Sequence, residues 1–168
     1  MTRRLELTIV PAIAILDQIT KLWVVAEMEL YQTITVIPGL LNLTHIRNSG
    51  VAFGLFNTAE FAYKPLVMSL VALGALVGVA MYATQLPIAH HWARAGLALI
   101  LGGALGNLVD RARQGYVVDF VDAHWRGWHF WAFNVADAAI SVGVCLLVID
   151  LFRPEAAAPP AVEELRVS

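Results

Sequence analysis

From Leu66 to Thr84 the chain runs without one charged residue, opening just after Pro65. A bilayer core demands about 20 mainly apolar residues per helix, so this stretch reads as a membrane span. Three more follow the same logic. One runs from about residue 5 to 26, one from 92 to 111, rich in Ala, Leu and Gly, and one from 133 to 152. The whole chain agrees: 59% of its 168 residues are hydrophobic and 14% charged, where a soluble domain carries about a quarter charged residues. A core of this length cannot bury that much apolar surface. The expectation is an all-α membrane protein with four transmembrane helices, one integral-membrane domain over 1–153, and a Pro/Ala-rich, disordered cytoplasmic tail over 154–168.

Arg3 and Arg4 before an apolar run resemble the start of a cleaved signal peptide. Asp17 and Lys21 interrupt that pattern, and the first span is expected to stay. Between spans one and two, Thr33-Ile34-Thr35-Val36-Ile37 followed by Pro38-Gly39 predicts short strands within Gln32–His45. Between spans three and four, Ala112–Ala132 is expected to be a loop with Trp125, Trp128 and Trp131 as interfacial aromatics. Arg3 and Arg4 before the first span, with Glu27 and Glu29 after it, favour a cytoplasmic N-terminus. The count of basic residues in the two long loops (Arg47, Lys64, Arg111, Arg113, Arg126) points the other way. Following the first span makes both termini cytoplasmic and requires some of those arginines to serve the fold or the site. The net charge of −2 indicates no nucleic-acid partner. A lone cysteine, Cys145, rules out a disulfide framework and reads as a small packing residue.

Ionisable groups inside a span cost about 2.5–3.5 kcal/mol each on insertion scales, and so mark function. Asp17 and Lys21 are four apart on one helical face. They are either a mutually neutralising pair, with Lys21 snorkelling to the interface, or a brace for a site. Asn48 and Gly50 permit a turn and offer amide hydrogen bonds. Gly102 and Gly106 form a small-xxx-small pair that lets another helix approach. Asn107, Asp110 and Arg111 project together from the end of the third span. Asn134 and Asp137 share a face at the start of the fourth. Asp137 lies about one turn inside the apolar boundary with no cation beside it in sequence, so an isolated ionised carboxylate there is costly and the group is expected to keep or share a proton. Asp119 is the nearest unpaired acid on the same side. Two carboxylates sharing a proton can hydrolyse a peptide without a metal, one activating water and the other donating to the carbonyl. Spacing alone allows this reading without requiring it.

These residues resemble the bacterial lipoprotein signal peptidases, the type II signal peptidases. The resemblance covers the chain to about Arg153. It rests on Asp17…Lys21, Asn48-x-Gly50-x-Ala52-Phe53, Gly102-Gly103-x-x-Gly106-Asn107-x-x-Asp110-Arg111, Val118-Asp119-Phe120 and Phe133-Asn134-x-Ala136-Asp137, in order and spacing. It implies four membrane helices, a small extracytoplasmic β-cradle, and a short periplasmic helix near Thr58–Tyr63. It implies catalytic Asp119 and Asp137, with Asn48, Gly50, Asn107, Asp110, Arg111 and Asn134 supporting them or lining the substrate groove. It also implies a multi-pass protein of the bacterial inner membrane whose active site faces the periplasm. The implied substrate is a prolipoprotein already carrying diacylglycerol on its lipobox cysteine, cleaved just before that residue. Lipid-modified precursors and membrane lipids are the expected partners. No cofactor or metal is expected, nor any partner copy. The tail after Arg153 lies outside the pattern and is expected to be dispensable.

Competing functions differ in what they leave unexplained. A metallopeptidase would need ligand spacing such as H-E-x-x-H, which His45, His90, His91, His124 and His129 do not form. A small proton-coupled transporter would use membrane carboxylates, but these cluster near one interface and the spans show no internal repeat. A purely structural subunit leaves Asp137 and Arg111 without a purpose.

Overall fold

A computed structural model of the chain describes residues 3–50, 63–87 and 89–153, with side chains from residue 7 onward. The helix expected near Thr58–Tyr63 and the tail over 154–168 fall outside the described residues, apart from Tyr63 itself. Four helices and four strands follow in the order α1 (Arg3–Glu27), β1 (Thr33–Ile37), β2 (Leu41–Asn48), α2 (Lys64–Gln85), α3 (His91–Gln114), β3 (Val117–Trp125), β4 (Trp128–His129) and α4 (Val135–Leu151). Among the described residues, three stretches are long and apolar enough to cross a membrane: Leu7–Glu27, Lys64–Gln85 and His91–Gln114. The fourth helix has 17 residues, about 26 Å at 1.5 Å per residue, the short end of what a bilayer core requires.

Local chemistry accounts for the helix limits. Pro65 sits in the first turn of α2, where its missing N–H costs nothing. Gly115 ends α3 in the left-handed conformation (φ +79°), its N–H returning to the Arg111 carbonyl. Asn134 caps α4: its side chain accepts from the Asp137 N–H, and the Asp137 carboxylate accepts from the Asn134 N–H. That reciprocal pair satisfies two backbone donors that the first turn would otherwise orphan.

α3 is the central helix, packed against α1, α2 and α4. Its glycines set the approach. A methyl group on Gly102 would strike Ile13 and the Val10 carbonyl of α1, and one on Gly106 would lie 2.5 Å from the Asp17 carboxylate. Gly102 and Gly106 thus form the seam expected from their spacing, and α1 lies on it. Gly103 abuts the Ala136 carbonyl of α4. On α2, only Lys64 and Met68 are buried, while Leu66, Leu70, Val71, Val77 and Met81 are exposed. Such a surface is untenable in water and ordinary against lipid. Cys145 is exposed on α4 rather than packed. The helix turns Ala136, Ala139 and Gly143 inward, and Cys145 falls on the outer face.

The strands form one antiparallel sheet in the order β1-β2-β3-β4. Pro38-Gly39 makes the β1–β2 turn, with Gly39 at φ +79°. The third strand overturns the loop expected between spans three and four. Val117, Val118, Phe120 and Val121 suit a half-buried strand, and β3 pairs with β2 in the register Ile46↔Asp119, Arg47↔Val118, Asn48↔Val117. Val118 and Phe120 pack on Val24 and Met28 at the end of α1. This seats the sheet on one end of the helix bundle. Trp125, Trp128 and Trp131 are exposed there, as an interfacial position requires.

Candidate active site

Three lines of polar residues converge where the sheet meets the bundle. The first comes from α1 and α3. The Lys21 ammonium has three donors and uses them on Asp17 at 2.7 Å, Asp110 at 2.9 Å and the Asn107 side-chain oxygen at 2.8 Å. Lys21 and Asp17 are buried. Lys21 therefore does not snorkel: the expected Asp17–Lys21 pair forms, buried, and the same ammonium reaches Asp110 and Asn107 as well. Asp17 also accepts the Ala136 backbone N–H at 2.9 Å, holding the first turn of α4. Asp110 accepts the Val118 N–H at 3.3 Å and so ties α3 to β3.

The second line comes from the sheet. Asp119, expected in a loop, stands on β3 and is 2% exposed. Asn48 of β2 donates to its Oδ2 at 3.0 Å, and Asn134 donates to its Oδ1 at 2.7 Å. The third line is Asp137, in the first turn of α4. Its Oδ1 accepts from Asn107 at 2.8 Å and its Oδ2 from the Asn134 N–H at 3.3 Å. Asn107 and Asn134 are themselves linked at 3.3 Å. Two asparagines thus hold two carboxylates, and Lys21 orients Asn107 from behind.

Burial pushes the Asp119 carboxyl up to about 7, and the nearby Asp137 charge adds to this, against the opposing hydrogen bonds of Asn48 and Asn134. A carboxyl that titrates near neutrality beside a second carboxyl is suited to share one proton across the pair.

Arg111 reaches the site through backbone carbonyls. Its guanidinium donates to the Gly50 carbonyl at 3.0 Å and to the Asn107 carbonyl at 3.2 Å, not to Asp119 or Asp137. Gly50 in turn donates its N–H to the Asn48 side chain at 2.9 Å. Arg111 therefore fixes the turn that carries Asn48. Other loop arginines are engaged too: Arg47 stacks on Tyr116 and Arg126 on Trp125.

Sequence reasoning passed over Gln18. Its amide donates to Asp110 at 2.8 Å and to the Gly106 carbonyl at 3.2 Å, closing the buried network. The signal was available, since Gln18 is a polar residue inside a span beside Asp17. The Asn-x-x-Asp cap of α4 was likewise legible as a capping-box variant.

The family model described as Signal peptidase (SPase) II matches residues 9–153. The chain belongs to the signal peptidase II family. It is 46% identical to a lipoprotein signal peptidase of Geobacter sulfurreducens over 154 residues, 92% of this chain and 95% of that one. It is 41% identical to a lipoprotein signal peptidase of Pseudomonas aeruginosa over 140 residues, 83% of this chain and 82% of that one. A solved structure described as a bacterial membrane enzyme, determined by the in meso method, superposes with a TM-score of 0.78 at 28% identity, covering 91% of this chain and 96% of that chain. As a signal peptidase II the chain is a protease and a bacterial integral membrane protein, and the site described above is the one its buried polar residues build.

Proposed function

We propose that this signal peptidase removes the signal peptide from diacylglyceryl-modified prolipoproteins, cutting just before the lipidated cysteine, with Asp119 and Asp137 as an aspartic dyad. The observation that carries the reading is the bridge through Asn134, whose side-chain amide holds Asp119 while its backbone N–H holds Asp137. Two carboxylates fixed against one residue, one of them titrating near neutrality, can work on opposite sides of one water and one carbonyl. The ionised member takes a proton from the water as its oxygen attacks the scissile carbonyl. The protonated member gives its proton to the carbonyl oxygen and, as the tetrahedral intermediate collapses, a proton passes to the leaving amine. Asn48, Asn107 and Asn134 keep the carboxylates in place, and Arg111 holds the Asn48–Gly50 turn beside them.

The helices that frame this site are read as four spans with both termini cytoplasmic, in the bacterial inner membrane. The dyad then faces the periplasm at the level of the outer leaflet. The signal helix of the substrate enters sideways among the spans while its acyl chains stay in lipid. The enzyme works as a monomer without a cofactor. A proton-coupled transporter finds no support among the family matches.

The test is cleavage of a diacylglyceryl-modified precursor by the full chain in detergent. Asp119→Asn and Asp137→Asn should each lower kcat by about 10²–10⁴-fold, and activity should survive EDTA. Near wild-type cleavage by either variant would overturn the dyad.

A further inference from the structure

We propose that Asp122, His124 and His129 form a binding site for a divalent transition-metal ion of the zinc type, on the β3–β4 hairpin and separate from the dyad. The sheet register brings the three together. Asp122 and His124 are two apart on β3, so their side chains leave the same face. His129 on β4 stands directly opposite His124, and Asn42 on β2 directly opposite Asp122. Two neighbouring cross-strand pairs, Asn42↔Asp122 and His124↔His129, therefore lie on one face. Asp122, His124 and His129 each bring a ligand atom to within 4.8 Å of the others. Ligands at about 2.0–2.1 Å from a tetrahedral zinc stand roughly 3.4 Å apart, so closing the set needs side-chain shifts on the order of 1 Å.

The three side chains already stand against one another. His129 Nδ1 lies 2.8 Å from Asp122 Oδ1, and the two imidazoles stack with centroids 4.9 Å apart and planes 16° from parallel. The Asn42 amide donates to the other Asp122 oxygen at 2.9 Å, the orienting contact that metal-bound carboxylates usually have. Two imidazoles and one carboxylate suit zinc, copper or nickel and disfavour calcium and magnesium, which take oxygen. The His129 side chain is about half exposed, at 55%, which leaves a fourth position open to water. The consequence is mechanical. β4 pairs with β3 at His124↔His129 and Trp125↔Trp128, the chain after it stays on β3 through the Phe130 N–H to the Ala123 carbonyl and the Val121↔Phe133 bridge, and the tip carries two exposed tryptophans. A bound ion would clamp β4 to β3 and fix that aromatic edge.

The test uses the full chain without an affinity tag, stripped with EDTA, in detergent. Zinc titrated by calorimetry should bind one ion per chain and raise the thermal midpoint by several degrees, because an ion that binds only the folded chain stabilises it by mass action. Cobalt should give the visible absorption bands of a tetrahedral nitrogen–oxygen site. The double variant His124→Asn/His129→Asn should weaken zinc binding by about tenfold or more, while His90→Asn/His91→Asn should not. His129→Asn alone, at a half-exposed position, serves if the double variant does not fold, and cleavage of the lipidated precursor reports folding independently. The proposal is overturned if no saturable zinc binding occurs below about 1 mM, or if binding is the same in the His124 and His129 variants as in the wild type.

Discussion

Asn134 donates its side-chain amide to Asp119 across 2.7 Å while its own side-chain oxygen caps the helix that carries Asp137. One residue thus sets both the start of α4 and the relation between the two carboxylates. The cap fixes where Asp137 stands, and the amide fixes where Asp119 stands relative to it.

The two roles can be separated. Asn134→Ala removes both, and should cost about 1 kcal/mol of stability for the lost cap together with most of the activity. Asn134→Ser keeps a capping oxygen but is too short to reach Asp119. It should restore the thermal midpoint without restoring kcat. A serine variant with wild-type turnover would show that the bridge to Asp119 is unnecessary.

The pH profile follows from Asp119. Its carboxyl titrates at about 7 in the folded protein, so if the proposed dyad works by a shared proton, raising the pH past that point removes it and cleavage should fall. At low pH both carboxylates are protonated and the base is lost. A bell-shaped profile should result, belonging to the pair as a whole, with its alkaline limb near neutrality. A rate still rising well above pH 8 would contradict a shared proton.

Stability has its own pH signature. The ordinary value for Asp119 is 3.8 and the folded value about 7. Between them the folded chain binds more protons than the unfolded chain, so stability falls as pH rises across that window and levels off above it. Thermal midpoints of wild type in detergent should therefore drop from pH 5 to pH 7.5. In Asp119→Asn that part of the slope should vanish, because the buried charge no longer forms.

Lys21 pairs with two buried acids at once, Asp17 and Asp110. Lys21→Met should destabilise the protein by roughly 3–5 kcal/mol, the cost of leaving buried charges unpaired. Activity should fall as well, since Asn107 loses the cation that orients it toward Asp137. A variant that melts like wild type would mean the network contributes little to the fold.

Close backbone approach makes a separate prediction. A methyl group at Gly103 would collide with the Ala136 carbonyl, whereas at Gly106 it would meet the end of the Asp17 side chain. Gly103→Ala should cost about 1–3 kcal/mol by forcing α3 and α4 apart, and kcat should fall with it because Asn107 and Asp137 sit on those two helices. Gly106→Ala should disturb the Lys21 network first. Circular dichroism melts and precursor cleavage measured on both variants distinguish the two outcomes.

Much of this protein was legible along the chain. The four apolar stretches correspond to the four helices because hydrophobicity and helical periodicity are local properties. Pro38-Gly39 announced a turn for the same reason. Asp17, Lys21, Asp110 and Asp137 stood out because ionisable groups in apolar surroundings are costly wherever the chain later goes. The partners were not legible. Asn48 reaches Asp119 across 71 positions and Asp17 reaches the Ala136 N–H across 119; no local pattern encodes which strand pairs with which, or in what register. Asp119 looks like an ordinary loop acid until β3 docks on β2 and packs Phe120 against the end of α1. The register chosen by that packing carries the carboxylate to Asn134, and only the assembled tertiary structure removes it from water. Sequence alone determined that a polar site had to exist at one end of a membrane bundle. The long-range packing decided which carboxylates share it, because burial and pairing are properties of the fold and not of the residues.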